Sequence, residues 1–135
     1  MKKTSVLIVD PQYLTRNGLF HLLDNLDDLN IEMKEDVNLD EDYSSYDVII
    51  TDYLEPYTTQ VKEELKENLL EKYTDRLLIV SADQNKPRIK ELINKGAPGY
   101  LTKDCTPDEI LSAVEMIAQG NRFYCNKVLE LLTHV

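Results

Sequence analysis

Three stretches of this chain, Val6-Leu7-Ile8-Val9, Val48-Ile49-Ile50-Thr51 and Leu77-Leu78-Ile79-Val80, carry no charge and a single polar residue, Thr51. A strand with one wet face alternates apolar and polar residues with a period of two. An unbroken run of β-branched and leucine side chains has no face to offer to water, so these segments are expected as central strands of a parallel sheet covered on both sides. Parallel neighbours cannot be joined by a hairpin, which requires crossovers between them.

The intervening segments supply those crossovers. Leu19, Leu22, Leu23 and Leu26, then Val61, Leu65 and Leu69, then Ile89, Leu92 and Ile93 recur at helical spacing. Ile31, Met33 and Val37 alternate with Glu32, Lys34 and Asp36, as suits an edge strand, and Gly99-Tyr100-Leu101-Thr102 reads as a shorter fifth strand. Thr106-Pro107-Asp108-Glu109 is a helix start, with Thr106 as cap, Pro107 in the first turn and Glu109 closing a capping box. That last main helix is expected to run to Gly120. After Asn38, residues Leu39 to Tyr43 leave space for a stunted second helix only. Strand and helix alternating five times gives an α/β chain with a doubly wound, five-stranded parallel sheet and helices on both faces.

A length of 135 residues, 42% of them hydrophobic, suits one domain with one core. Against 15 Lys and Arg stand 25 Asp and Glu, a formal net charge of -10, which argues against direct binding of DNA or RNA by these residues. The apolar run after Met1-Lys2-Lys3-Thr4 ends at Asp10, too soon for a signal peptide or a membrane span, so a cytosolic protein is expected. Cys105 and Cys125 lack the spacing of a metal or redox motif and read as reduced, incidental thiols.

In doubly wound sheets ligands sit beyond the carboxyl ends of the strands. Asp10 follows the first strand, Asp52 the third, Ser81 the fourth and Lys103 the fifth. Each alone reads as a turn, cap or solvated residue. Four of them at converging strand ends suggest more. Two carboxylates can hold a hard divalent cation such as Mg2+, and a lysine with a hydroxyl can complete the surroundings of a phosphoryl group. Phosphoryl transfer needs an aligned nucleophile and positive charge on the equatorial oxygens, which makes Asp52 the expected nucleophile and Lys103 the expected counter-charge.

The segments Val6 to Asp10, Tyr46 to Asp52 with Pro56, Ile79 to Ala82 and Gly96 to Asp104 resemble the receiver domains of two-component response regulators over nearly the whole chain. Leu14, Arg16, Gly18, Leu19, Lys103-Asp104 and the tail Gly120-Asn121-Arg122-Phe123 resemble the LuxR/NarL type. The resemblance implies a flavodoxin-like strand order of 2-1-3-4-5, for which this family is itself a standard example. It implies a phosphoacceptor switch that is not a turnover enzyme, with Asp52 phosphorylated by a sensor histidine kinase. Lys103 and Ser81 would contact the phosphoryl group. Asp10, Asp52 and the Leu54 backbone carbonyl would hold Mg2+. Ser81 and Tyr100 would form a switch pair: the hydroxyl moves to the phosphoryl group, the ring enters the vacated space, and a partner reads the altered surface.

The resemblance further implies a receiver over residues 1–120 and a linker or extra helix over 121–135, around Asn126, Val128, Leu129, Leu131 and Leu132. In this family such a segment leads to a DNA-binding domain, here absent; a truncated transcription regulator is favoured over a stand-alone receiver. A second copy of the chain is a further expected partner.

The pattern is broken in several places. Pro11 stands where the family carries a second acid, so weak Mg2+ binding and slow phosphorylation are expected. Glu55 is read as a solvated loop residue, and Tyr57-Thr58-Thr59 stand where a glycine follows Pro56 in the common pattern. A degenerate, phosphorylation-independent interaction module is therefore the alternative function. A flavodoxin-like enzyme is disfavoured, because Asp10-Pro11-Gln12-Tyr13 lacks the donors that cradle a phosphate. His21 is read as a packing or surface histidine, and the acidic stretch Asp36 to Asp42 as a solvated edge.

Overall fold

The computed structural model describes residues 3–10, 12–24, 26, 28–35, 41–52 and 71–133. Six strands form one sheet: β1 (Thr4–Val9), β2 (Leu29–Lys34), β3 (Val48–Thr51), β4 (Leu77–Ser81), β5 (Gly99–Thr102) and β6 (Phe123–Tyr124). Their order is β2-β1-β3-β4-β5-β6, and every neighbouring pair is parallel. The expected order of five is present, and the tail adds a sixth strand, two residues long, that pairs Gly99 with Phe123 and Tyr100 with Tyr124.

The unbroken apolar runs became the buried strands for the reason they are unbroken. Val6 to Val9 are all fully buried, as are Val48 and Ile49. Each such side chain contributes about 1.5–3 kcal/mol by leaving water. Strand β2, at the sheet edge, alternates as expected at Ile31 and Glu32, although Met33 is 38% exposed.

Four helices are described: α1 (Tyr13–Leu23), α2 (Lys86–Asn94), α3 (Pro107–Ala118) and α4 (Asn126–Thr133). The pairs α1 with α3 and α2 with α4 pack together on the two faces of the sheet. Leu19 and Leu23 of α1, Ile89 and Leu92 of α2, and Ile110, Ala113, Val114 and Ile117 of α3 are buried in the core. Leu26 lies past the end of α1 and is 36% exposed. The periodic set Val61, Leu65 and Leu69 lies outside the described residues, which resume as helix at 71–73.

Helix α3 starts with the expected capping box between Thr106 and Glu109. It ends one turn of chain before Asn121: the Gly120 N–H bonds the Ile117 carbonyl at 2.9 Å and the Asn121 N–H bonds the Met116 carbonyl at 2.9 Å. This 5→2 and 6→1 pair is a Schellman motif, which needs the φ of +85° that Gly120 adopts without steric cost. The motif turns the chain back so that Phe123 can join β5.

Residues 41–47 contain no helix, while Leu39 and Asp40 lie outside the described residues. A tyrosine cluster holds this segment instead. Tyr43 and Tyr73 are buried edge to face with ring centroids 5.9 Å apart, and the Tyr43 N–H donates to the Tyr73 hydroxyl at 2.9 Å. Arg76 donates to the Ser44 and Tyr46 carbonyls at 2.9 and 3.1 Å, so side chains take up the backbone acceptors that a helix would have satisfied.

Candidate functional site

The parallel register brings the carboxyl ends of β1, β3, β4 and β5 to one edge of the sheet. Asp10 directly follows β1 and Asp52 directly follows β3; each is only 2% exposed. Lys103 follows β5, and its ammonium lies 3.1 Å from the Asp52 carboxylate. The Lys103 side chain is 27% exposed, so the charge sits at the mouth of the pocket with its partner carboxylate beneath it. The sequence-predicted acid and base therefore meet.

Asp10 is held by its neighbours in the β1–α1 turn. Its carboxylate accepts the Gln12 N–H at 2.8 Å, and its backbone carbonyl accepts the Arg16 guanidinium at 2.7 Å. Burial pushes the Asp10 carboxyl above its ordinary range, opposed by the Gln12 N–H and the Lys103 ammonium, while the nearby Asp52 charge raises it further.

Ser81 ends β4 and is 1% exposed. Its carbonyl accepts the Lys103 N–H at 3.1 Å, and its hydroxyl accepts the Asp83 N–H at 3.1 Å. Tyr100, at 1% exposed, points its ring into the molecule and donates its hydroxyl to the Asp83 carbonyl at 2.7 Å. Burial raises the Tyr100 phenol far above its ordinary value, so it is a neutral donor at any physiological pH.

Two residues escaped the sequence reading as site members. Gln12 accepts the Lys103 ammonium at 2.9 Å, and Asp83 carries main-chain bonds to both Ser81 and Tyr100. Gln12 is visible only as a glutamine two positions after Asp10, and Asp83 only as an acid two positions after Ser81. Leu54, Glu55 and Pro11 lie outside the described residues. His21 is exposed on α1 with its ring near Phe20. Both cysteines are free, and Cys125 is buried beside Thr102.

Chemically, the pocket offers two buried carboxylates against one ammonium. Hard oxygen donors that repel one another suit a divalent cation. Among the described residues no group of three or more His, Cys, Asp or Glu is arranged to hold a metal ion, so Asp10 and Asp52 would leave most positions around a cation to water and main-chain oxygen. Magnesium, which sheds its waters reluctantly, fits that donor set. No described helix is long and apolar enough to cross a membrane.

No family model matches the chain. Over 96% of its length it is 35% identical to the nitrate/nitrite response regulator protein homolog of Haemophilus influenzae, covering 64% of that protein. It is 28% identical to the transcriptional regulatory protein DegU of Brevibacillus brevis over 93% of its length, covering 55% of that protein. The chain thus spans between half and two thirds of these curated relatives. Among solved structures, the signal receiver domain of the response regulator NarL from Mycobacterium tuberculosis superposes with a TM-score of 0.71 at 25% identity, covering 90% of this chain and all of that one. Sequence likeness to the regulators and backbone likeness to an isolated receiver point the same way, and the chain belongs to the receiver domains of two-component response regulators, in their NarL/LuxR group.

Proposed function

We propose that this receiver is a phosphorylatable switch in which Asp52 accepts a phosphoryl group from the phosphohistidine of a sensor histidine kinase. The observation that carries the reading is the 3.1 Å approach of the Lys103 ammonium to the Asp52 carboxylate. In the transfer an Asp52 carboxylate oxygen forms a bond to phosphorus as the phosphorus–nitrogen bond of the donor breaks. The imidazole leaves with that electron pair and takes a proton from water. Lys103 supplies positive charge to the phosphoryl oxygens, and in this reading the Ser81 hydroxyl turns to donate to one of them.

A magnesium ion held by Asp10, Asp52 and the Leu54 carbonyl would, when bound, withdraw charge from the phosphoryl oxygens. With Pro11 in the place of a second acid, that ion is held weakly. The chain is a switch and not a turnover enzyme, hydrolysing its own acyl phosphate at most. Its setting is the cytoplasm. Ser81 and Tyr100 then act as the switch pair through the main chain of residue 83.

The name of one relative, a transcriptional regulatory protein, supports placing this receiver in a transcription regulator, and we infer that such a regulator dimerises and reaches DNA through a further domain. The phosphorylation-independent alternative gains no support from the pocket, where the ammonium already stands beside Asp52.

Incubation with Mg2+ and acetyl phosphate is the test. One phosphoryl mass is expected on the wild type and none on Asp52→Asn. An unreactive wild type, or an equally reactive Asp52→Asn, overturns the reading.

A further inference from the structure

Residue 12 occupies the N-cap of α1, where Ser, Thr, Asp or Asn would be favoured because a short side chain can accept an N–H of the first turn. The chain has glutamine there, and its side chain makes no cap bond. Instead the Gln12 amide oxygen accepts the Lys103 ammonium at 2.9 Å and the Thr15 hydroxyl at 3.2 Å. Its backbone N–H meanwhile donates to the Asp10 carboxylate at 2.8 Å. One residue thereby ties the turn after β1 to the turn after β5, with Asp10 on one side and the Asp52–Lys103 pair on the other. A local preference given up where a side chain reaches across the pocket marks that side chain for function.

We infer that Gln12 is a positioning residue for the phosphoryl transfer: its amide oxygen holds the Lys103 ammonium over Asp52. The inference rests on the proposed role of Asp52 and Lys103 and goes beyond it.

The chemistry favours a neutral acceptor here. Lysine has four rotatable side-chain bonds and swings freely unless something fixes its end. A carboxylate at position 12 would fix it but would add a negative charge where an anionic donor must approach, and Asp10 and Asp52 already contribute two buried acids. An amide oxygen fixes the ammonium by its dipole and leaves its full charge for the incoming phosphoryl oxygens. Thr15, one turn into α1, in turn fixes the amide by donating to the same oxygen. Pro11 makes this more consequential, because a cation facing one acid fewer is held more weakly, and a pocket less often occupied by a cation depends more on Lys103.

The test compares the wild type with Gln12→Leu, Gln12→Glu and Thr15→Ala, using two readouts. The first is the rate at which acetyl phosphate adds mass to Asp52 across a range of Mg2+ concentrations. The second is the NMR signal of the Lys103 ammonium group in the absence of Mg2+ and phosphoryl donor. Gln12→Leu is expected to phosphorylate more slowly by up to about a hundredfold, the scale on which a misplaced group costs rate, with the half-saturating Mg2+ concentration unchanged and the Lys103 signal shifted. Gln12→Glu should restore an ordered Lys103 signal yet stay slow, and Thr15→Ala should fall between wild type and Gln12→Leu. A Gln12→Leu variant that matches a reactive wild type in rate, or leaves the Lys103 signal in place, overturns the role of Gln12 alone. A wild type that takes up no phosphoryl mass overturns the proposed function on which it stands.

Discussion

The Tyr100 hydroxyl donates to the Asp83 carbonyl at 2.7 Å, while the N–H of the same Asp83 donates to the Ser81 hydroxyl at 3.1 Å. A single peptide segment is thus bonded to both members of the proposed switch pair. If the Ser81 hydroxyl turns toward a phosphoryl group, the Asp83 N–H loses its acceptor, and whatever residue 83 does next is felt by Tyr100. Tyr100→Phe keeps the buried ring and removes the hydroxyl's bond to the Asp83 carbonyl. It should cost about 1 kcal/mol in urea unfolding and leave phosphoryl uptake unchanged. Amide shifts at 83–88 on adding beryllofluoride and Mg2+ should shrink. Shifts as large as those of the wild type would show that the hydroxyl transmits nothing.

The Asp83 side chain extends the same link into α2. Arg88 donates to it twice, at 2.7 and 3.2 Å, and the Asn85 N–H adds a third bond at 3.0 Å. The bonded Arg88 guanidinium holds the Asp83 carboxyl below its ordinary range against the effect of burial. A carboxyl whose folded value lies below its unfolded one stabilises the fold above about pH 3.9 and loses that contribution as pH falls toward the folded value. Arg88 is half exposed, so solvent screens the pair and its contribution is small. The stability gap between wild type and Arg88→Met should be flat from pH 7 to about pH 5 and close below about pH 4. A gap that persists unchanged into strong acid would assign the effect to lost packing of the arginine stem.

The sheet and its order were legible because buried parallel strands leave a pattern, the unbroken runs Val6 to Val9, Val48 to Thr51 and Leu77 to Val80, that nothing else of that length explains. The strand-end residues Asp10, Asp52, Ser81 and Lys103 were legible for the same reason: once the strands are placed, their ends follow. Strand β6 was hidden because Phe123 and Tyr124 are too few to show a period, and its pairing with β5 depends on the turn at Gly120. Residues 41–47, before β3, read as the end of a poor helix and form a loop, since their order comes from Tyr73 and Arg76, some thirty residues downstream. Gln12 and Asp83 were hidden because their contacts are with residues made neighbours only by the fold, or through main-chain atoms that carry no residue-type signal.

Glu109 joins the starts of two helices. Its carboxylate accepts the Thr106 N–H at 3.0 Å to complete the cap of α3 and accepts the Asn126 N–H at 2.9 Å at the first turn of α4. Both N–H bonds hold the Glu109 carboxyl below its ordinary range. Thr106→Ala removes the cap alone, at a cost of about 1 kcal/mol. Glu109→Ala should cost more, about 2 kcal/mol, and should speed amide exchange selectively at 126–133. Equal exchange of that helix in the two variants would mean that the buried Val128 holds α4 without help from the carboxylate.

The proposed weakness of Mg2+ binding rests on one residue. Pro11 has no side-chain donor, and the two acids that remain, Asp10 and Asp52, are both buried. Pro11→Asp would return a carboxylate beside Asp10. An added unit charge near a protein surface is worth a few kcal/mol to a cation before desolvation is subtracted, so half-saturating Mg2+ should fall by roughly tenfold or more. The same carboxylate repels Asp10 and Asp52 when no cation is bound, so the metal-free variant should be less stable than wild type and the Mg2+-loaded one should recover. Thermal unfolding with and without Mg2+ separates the two effects. If Pro11→Asp binds Mg2+ no more tightly than wild type, the missing acid is not what limits the site, and the cation must be held from elsewhere in the pocket.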